Sequence, residues 1–499
     1  MRLSRQTALS LLAVWLVALL LGIGAAVLLA RPLYAYGRRN PRWEAPDHIF
    51  QRHLGKPYRP LHLPPESLPP RQQRGLFGGQ LTPQEHALEG LATILLLTVA
   101  AQWIAVRIRV PTILLLAGFG CMAGPVTGLL DPDQLFGNLL LPLVSMVVAL
   151  LLFLESLSAG RWRRASRGSA GSLASIGLAI TWVLGTTASF FLLQLSLPLS
   201  LLLGLALAIT GAPGTLVRVP RRLVKELEVI TGSGQASSDV VGSVLVILIF
   251  QVVLAGGLRG FSSPGWMAVR SCVGFGLLFG ACGGGLLLVL LQRRWIPRSL
   301  ERAVPLTLAL TMFAFSNLIQ RDSGFLAVMV MGTLASRTLA SRIQAVTPRY
   351  AVYLRGRWHD SLLAALFLIL FARIGIDDLA LIGAGGAVFI VVALSMRPLI
   401  VGVSTLRSAF DWRERLLLSL MAPGGLLGAG LATICGLRLA DGRYPEAAVW
   451  VPLALLIVTG TAALGALAPL VVRPSQAQVL DQEHARELKW PALSGEREG

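Results

Sequence analysis

Asp239 is the residue whose type and position most strongly indicate chemistry. It stands in the stretch GQASSDVVGS, inside an otherwise apolar run long enough to cross a membrane. A carboxylate in a medium of low dielectric constant resists ionising, so it can hold a proton or, once deprotonated, bind a cation. It cannot easily hold both at once. Ser237 and Ser238 add hydroxyl oxygens beside it, although a buried aspartate hydrogen-bonded to hydroxyls or helix ends fits the same pattern.

Glu155 and Arg373 are two further ionisable residues in apolar runs, each near one end. Glu155, in FLESLSAG, lies where it could serve an ion pathway or a water-facing rim, and the sequence favours neither. Arg373, in LILFARIG, precedes Asp377 by four residues. That spacing favours a surface pair with a snorkelling arginine over a role in a site. Both residues are secondary candidates.

The composition places these residues in a lipid bilayer. The chain has 499 residues, of which 54% are hydrophobic and 14% are charged. Repeated apolar runs of about 20 residues are typical of membrane-spanning helices. The formal net charge of +19 would indicate nucleic acid in a soluble protein. Here the basic residues lie in short loops between apolar runs, so we expect them to set topology and meet anionic lipid, with no nucleic acid partner.

The runs predict an all-α polytopic membrane protein with about 13 core helices and one N-terminal helix. Residues 1–30 are expected to form an uncleaved anchor helix, with a signal peptide as the alternative. Residues 31–84 read as a Pro-rich linker outside the membrane, 85–473 as the membrane domain, and 474–499 as a short polar tail. The core spans are predicted at 88–106, 111–130, 138–158, 170–195, 198–217, 232–256, 266–291, 303–319, 323–339, 360–375, 379–396, 412–436 and 447–472.

Loops rich in arginine and lysine alternate along the chain with loops that contain few of them. One set holds clusters such as 161–167, 218–225 and 337–357, whereas the other holds only Arg259, Arg321, Arg438 and Arg443. By the positive-inside rule the rich set is cytoplasmic. The expected orientation therefore has both termini in the cytoplasm and the 31–84 linker outside.

Two predicted spans are interrupted by helix-breaking residues. The first break contains Gly211, Pro213 and Gly214, and the second contains Pro423, Gly424 and Gly425. Proline removes a backbone donor and glycine is a weak helix former, so such breaks free carbonyl groups and helix ends. A helix break at membrane depth is tolerated only where it is buried in the protein or lines a water-filled cavity. The two spans are seven apart, an odd offset that reverses orientation as an inverted repeat requires, although two ordinary kinks remain the alternative.

Small residues and cysteines are expected to serve packing. Gly276, Gly280 and Gly284 recur every four positions, which predicts a close helix contact within the bundle or between subunits. The four cysteines lie in apolar runs and are interpreted as buried apolar residues. Histidines are absent from the interiors of the core spans, and no zinc-ligand spacing or Ser/His/Asp set occurs. The sequence therefore favours neither an intramembrane enzyme nor a cofactor. The four cysteines are Cys121, Cys272, Cys282 and Cys435.

Taken together, these features resemble the bacterial monovalent cation:proton antiporters of the Na⁺/H⁺ exchanger type. The resemblance covers roughly residues 88 to 473. It is carried by PTILLLAGFGCMAGPVTGLLDPDQLFGNLLLPLV, LLLGLALAITGAPGTLV, SSDVVGS, SGFLAVMVMG and RPLIVGVSTLRSAFDWRERLLLSLMAPGG.

The resemblance implies an inverted-repeat antiporter fold with two crossed discontinuous helices, and a homodimer in the bacterial cytoplasmic membrane. Asp239 matches the family's essential ion-binding aspartate, and Thr210 matches its threonine at the first break. Ser238 stands where many relatives have asparagine. The ligands implied are H⁺ and Na⁺ or K⁺, with backbone at Gly211, Pro213, Pro423 and Gly424 near the ion.

The chain also departs from the family pattern at two coupled positions. Gly234 replaces an acidic residue five positions before Asp239, and Gly424 replaces the arginine of the family's Ala-Pro-Arg-Gly break. These charges pair with one another in relatives. Losing only one would leave a buried charge uncompensated at a cost of about 3–5 kcal/mol, so loss of both is self-consistent.

Two hypotheses follow. In the first, the chain exchanges a monovalent cation for a proton at Asp239, electroneutrally, as a core bundle moves rigidly against a dimerisation bundle. In the second, it is a transport-inactive relative that acts as a membrane sensor or assembly partner.

Overall fold

The computed structural model describes a helical bundle, and every regular element in its described residues is a helix. The described residues are 83–108, 110–165, 169–209, 233–255, 263–292, 300, 303–342, 357–375, 378, 382–404, 415–416, 419–420, 426–440 and 444–466. The predicted N-terminal helix, most of the 31–84 linker, the 474–499 tail and both helix breaks lie outside them.

Fourteen α-helices are numbered here in chain order within these residues. They are α1 Pro83–Ile108, α2 Thr112–Cys121, α3 Pro132–Phe136, α4 Leu140–Ala165, α5 Ser169–Leu192, α6 Leu197–Ala208, α7 Ser233–Leu254, α8 Ser263–Gln292, α9 Ala303–Ile319, α10 Ser323–Arg342, α11 Arg357–Arg373, α12 Gly383–Ser404, α13 Leu426–Ala440 and α14 Trp450–Ala466.

The predicted spans are confirmed as apolar helices. Within the described residues, four helical stretches are long and apolar enough to cross a membrane, and nine shorter apolar helices accompany them. Each of these stretches overlaps one of the predicted core spans. Threonine and serine hydroxyls inside them donate to the carbonyl one turn back, as Thr93, Thr181 and Thr433 do at 2.7 Å. This satisfies polar side chains without water, as a bilayer requires. The chain is a polytopic membrane protein.

The helices divide by their packing into two groups. The first group is α1, α2, α3, α4, α8, α9, α10 and α11, with α10 packed extensively on both α4 and α8. The second group is α5, α6, α7, α12, α13 and α14, with α5 packed extensively on α6. The groups meet where α7 lies against α4, α8 and α10, where α13 lies against α4, and where α14 lies against α2, and the contact of α7 with α4 is the most extensive of these. Asp239 is on α7, so it lies in the second group near this boundary.

The glycine row on α8 packs inside the chain, which resolves the two alternatives left by the sequence. A methyl group at Gly280 would lie 2.6 Å from the carbonyl oxygen of Ala327, and one at Gly276 would lie 2.8 Å from Leu326 Cβ. Both neighbours are on α10. The small residues thus allow α8 and α10 to approach closely.

The cysteine prediction needs one correction. Cys272 and Cys435 are buried as expected, Cys121 is partly buried, but Cys282 is exposed. Cys282 follows Gly280 by two positions, or about 200° around the helix, so it lies on the side of α8 turned away from α10.

Candidate ion-binding site

Asp239 lies inside the bundle, six residues after the first residue of α7, with only 1% of its surface exposed. One turn further along α7, Ser243 Oγ donates a hydrogen bond to the Asp239 carbonyl oxygen at 2.7 Å. The Ser243 proton is therefore used by the backbone, while its oxygen keeps its lone pairs on the same side of α7 as Asp239. The carboxylate itself stays on a rigid helix at the depth of the core.

The first predicted break, which begins at Gly211, lies just beyond the described end of α6. Helix α6 ends at Ala208, and Ile209 has extended backbone with φ −76° and ψ 121°. Ile209 is fully buried and packs on α7, since a methyl group at Gly242 would lie 3.0 Å from Ile209 Cγ1. Gly242 follows Asp239 by three residues and so shares its side of the helix. The end of α6 is thereby held beside Asp239.

The described flanks of the two predicted breaks meet at Gly428. A methyl group at Gly428 would lie 2.1 Å from the carbonyl oxygen of Ala206 and 2.7 Å from that of Ile209. Only glycine permits this approach, because any Cβ would overlap the carbonyl oxygens. Helix α13 begins at Leu426, directly after the second break, so the last turn of α6 touches the first turn of α13.

This junction brings opposite helix ends together next to a carboxylate. The C-terminal end of α6 presents carbonyl oxygens and a partial negative charge, whereas the N-terminal end of α13 carries a partial positive charge. Carbonyl and carboxylate oxygens are the ligands that alkali and other hard cations prefer. The arrangement can bind a small cation or, when Asp239 is protonated, remain neutral.

Five of the predicted backbone and hydroxyl positions cannot be placed. Thr210, Gly211, Pro213, Pro423 and Gly424 lie outside the described residues. Ser238 is in the second turn of α7, where only its backbone is described. The described flanks of both breaks nevertheless meet beside Asp239.

Glu155 lies inside the bundle and not at a water-facing rim, because it is only 3% exposed. It is seven residues, about two helical turns, from Val148 on α4, so the two share a face. Val148 in turn packs on α13, since a methyl group at Gly430 would lie 3.0 Å from Val148 Cγ2. Glu155 therefore lies on the face of α4 that packs on α13.

Arg373 has a partner that its spacing did not suggest. Its Nε donates to Asp133 Oδ1 at 2.9 Å, joining the end of α11 to the short helix α3. Asp377 lies outside the described residues. Since α11 packs on α1, α2, α3 and α4, Arg373 fastens the first group together, away from Asp239.

Sequence reasoning missed a second buried carboxylate, Asp322. It is 2% exposed, accepts from Gln251 Nε2 at 3.1 Å and forms an ion pair with Arg438. In the sequence, Arg438 is simply one of the four arginines of the arginine-poor loops. Gln251, an amide within an apolar run, was the available signal, but a partnership across 116 residues cannot be read from spacing.

Comparison with known proteins agrees with this architecture. A family model described as "Sodium/hydrogen exchanger, transmembrane" matches residues 92–473. The K(+)/H(+) antiporter NhaP of Alkalimonas amylolytica is 24% identical in an alignment of 367 residues that covers 68% of this chain and 58% of that protein. The chain thus spans less than two thirds of that relative's length.

Two solved structures of one archaeal protein share the fold. The sodium proton antiporter MjNhaP1 from Methanocaldococcus jannaschii at pH 8 superposes with a TM-score of 0.60 at 20% identity, covering 77% of this chain and 99% of that one. An electron-microscopy structure of MjNhaP1 gives 0.56 at 21% identity, covering 80% and 97%. Because the family model covers most of the chain, this protein belongs to the sodium/hydrogen exchanger transmembrane family.

Proposed function

We propose that the protein exchanges a monovalent cation for a proton across a membrane, with Asp239 as the group that binds each in turn. The observation that carries the proposal is the position of Asp239, a carboxylate with 1% of its surface exposed beside the junction of α6 and α13. Family membership supports it. So do the relatives, a K(+)/H(+) antiporter and a sodium proton antiporter.

Exchange follows because one carboxylate cannot hold a proton and a cation at the same time. A buried ionised aspartate is costly unless a cation or proton compensates it. Protonation removes the charge to which Na⁺ or K⁺ binds, and binding of the cation displaces the proton. We propose that Thr210, Ser238 and backbone oxygens at Gly211, Pro213, Pro423 and Gly424 complete the shell. Glu155 is proposed to border the pathway on the face of α4 that packs on α13.

The setting of this activity is also proposed. We propose that the face of the protein with the arginine-rich loops is cytoplasmic, and that both termini lie on this face. The bacterial relative favours the inner membrane of a bacterium. The resemblance favours a homodimer embedded in lipid.

The decisive experiment is exchange in proteoliposomes. Purified protein is reconstituted, a pH gradient is imposed, and the proton flux on adding Na⁺ or K⁺ is measured for the parent, Asp239→Asn and Asp133→Asn. We expect Asp239→Asn to reduce exchange to the background of empty vesicles. Asp133→Asn is the matched control, because it makes the same change from carboxylate to amide at a partly exposed residue that pairs with Arg373.

The two cations are tested separately because the names of the relatives point to both. Equal exchange by the parent and Asp239→Asn would contradict the proposal. A parent that folds and shows no flux with either cation would favour the second hypothesis, a transport-inactive membrane sensor or assembly partner, which the paired glycines at 234 and 424 motivate.

A further inference from the structure

A buried polar cluster joins the two helix groups at the end of the bundle that carries few arginines. Asp322 lies in the turn between α9 and α10, in the first group. Its Oδ2 accepts from Gln251 on α7, and Oδ1 pairs with Arg438 in the last turn of α13. Gln251 and Arg438 both belong to the second group. The cluster therefore spans the boundary between the groups.

The turn that carries Asp322 is held rigidly by its own hydrogen bonds. Ser323 Oγ donates to the carbonyl oxygens of Ser316 at 2.9 Å and Gln320 at 2.7 Å. Asn317 Oδ1 accepts from the Gly324 amide at 2.9 Å. Asp322 itself has a φ of 68°, a left-handed conformation that aspartate tolerates better than most residues. The carboxylate is thus a fixed anchor on the first group.

The partners of Asp322 come from the two helices that flank the proposed ion site. Gln251 follows Asp239 on α7 by twelve residues, a rise of about 18 Å. Arg438 follows Gly428 on α13 by ten residues, a rise of about 15 Å. One end of each helix therefore meets the site, and the other end is bound to Asp322.

We propose that Asp322, Gln251 and Arg438 form a latch that holds the two groups together at this end, and that the latch opens when the site becomes accessible from this face. The inference rests on the proposed exchange function. Asp322 is 2% exposed and its charge is compensated by Arg438, whose side chain is 25% exposed. Separation of the groups would hydrate both ions, so the closed and open arrangements are two distinct states.

Gln251 sets the geometry of the latch without changing its charge. With one anion and one cation the cluster is neutral, and the amide occupies the second carboxylate oxygen. The Gln251 amide also approaches the Arg321 carbonyl oxygen at 3.5 Å. Removing this amide weakens the connection between α7 and the turn but leaves the ion pair, which provides a milder variant than loss of a charge.

The test measures separation of the groups directly. The four cysteines are replaced and Val148→Cys is introduced as a reporter. Val148 is fully buried, and a methyl group at Gly430 would lie 3.0 Å from its side chain across the boundary. A membrane-impermeant thiol reagent is added to each face of the membrane in turn, and the rate of labelling is measured.

We expect the double variant Asp322→Asn with Arg438→Gln to label at least tenfold faster from the face that bears Asp322, and Gln251→Leu to show a smaller increase. The matched control is Arg373→Gln with Asp133→Asn, which neutralises an ion pair within the first group and should leave the rate unchanged. Unchanged labelling in Gln251→Leu and the double variant, or an equal increase in the control, would overturn the latch.

The labelling rate does not depend on ion flux. If Asp239→Asn exchanges ions as well as the parent, the proposed function fails while the labelling still decides whether the latch exists. If exchange depends on Asp239 but the labelling rate is the same in the parent and the latch variants, the proposed function is supported and the latch is not. The cluster would then be a fixed structural contact.

Discussion

Asp239 and Glu155 are carboxylates on facing helices, α7 and α4, and both are buried. Neither would persist as an isolated ion in this environment, which is why such residues mark ion pathways. Where the resemblance leads one to expect an acid–arginine pair, the chain has Gly234 and Gly424. Because the two charges of such a pair cancel, its loss leaves the net charge near Asp239 unchanged.

Arg373 illustrates how a residue's role depends on its partner. Its pair with Asp133 is partly shielded, with side chains 16% and 27% exposed. Such a pair contributes modestly to stability, since solvent screens it and two side chains lose freedom.

A double-mutant cycle tests this structural role. Arg373→Gln and Asp133→Asn are each expected to lower the free energy of unfolding by about 1 kcal/mol, with a coupling energy of about 0.5–1 kcal/mol. Unfolding is measured in detergent micelles for the parent, both single variants and the double variant. A coupling energy of zero, or a rise in the KM for the cation, would contradict a purely fastening role.

At the scale of elements, the site depends on how closely two helix ends approach. Helix α6 is fixed on α5 by another glycine contact, because a methyl group at Gly204 would lie 2.4 Å from the Thr186 amide nitrogen. Trp182 Nε1 adds a hydrogen bond to the Leu201 carbonyl oxygen at 3.0 Å. With α6 held from one side, its last turn is positioned for α13 on the other.

Gly428→Ala should therefore damage the site specifically. The added methyl would overlap the carbonyl oxygens of Ala206 and Ile209, so α6 and α13 must move apart. We expect a loss of about 1–3 kcal/mol of stability, as for overpacked cores, and at least a tenfold fall in exchange. Both are measured on protein reconstituted as above.

Gly285→Ala is the control for this substitution. Gly285 lies in helix α8 with nothing within 4 Å of an added Cβ, so alanine should be neutral or stabilising by about 0.5–1 kcal/mol. Similar losses in both variants would show that the effect comes from glycine replacement in general and not from the junction.

At the scale of the molecule, the two groups of helices provide a boundary along which movement can occur. Asp239 lies close to that boundary on α7, and Asp322 bridges it at one end. Separation at one end and closure at the other would expose the site to each face in turn, which is the geometry that alternating access requires.

A single exchanging carboxylate predicts electroneutral transport. If Asp239 binds one proton or one monovalent cation, each cycle moves no net charge across the membrane. We expect reconstituted protein on a solid-supported membrane to show cation-dependent pH changes without a steady current. Each net charge moved would be worth about 2.3 kcal/mol per 100 mV, so a steady current or a strong dependence on potential would contradict the one-for-one cycle.

The sequence by itself determined the features that depend on local pattern. Apolar runs of membrane length located the thirteen spans, and the alternation of arginines ordered them, because a missed helix would have disrupted the alternation. Gly211, the first residue of the predicted first break, follows the end of α6 at Ala208 by three residues, since the effect of Gly and Pro on a helix is local. Asp239 was selected because an ionisable residue within an apolar run is costly wherever it lies.

Only the tertiary structure decided which distant residues meet. It placed the α8 glycine row against α10, paired Arg373 with Asp133, and joined Asp322 to Gln251 and Arg438. It also brought the flanks of both breaks together at Gly428. Helical periodicity specifies the face on which a side chain lies but not the helix that covers it. Partnership across 116 or 240 residues is set by packing of the whole bundle, and spacing carries no signal of it.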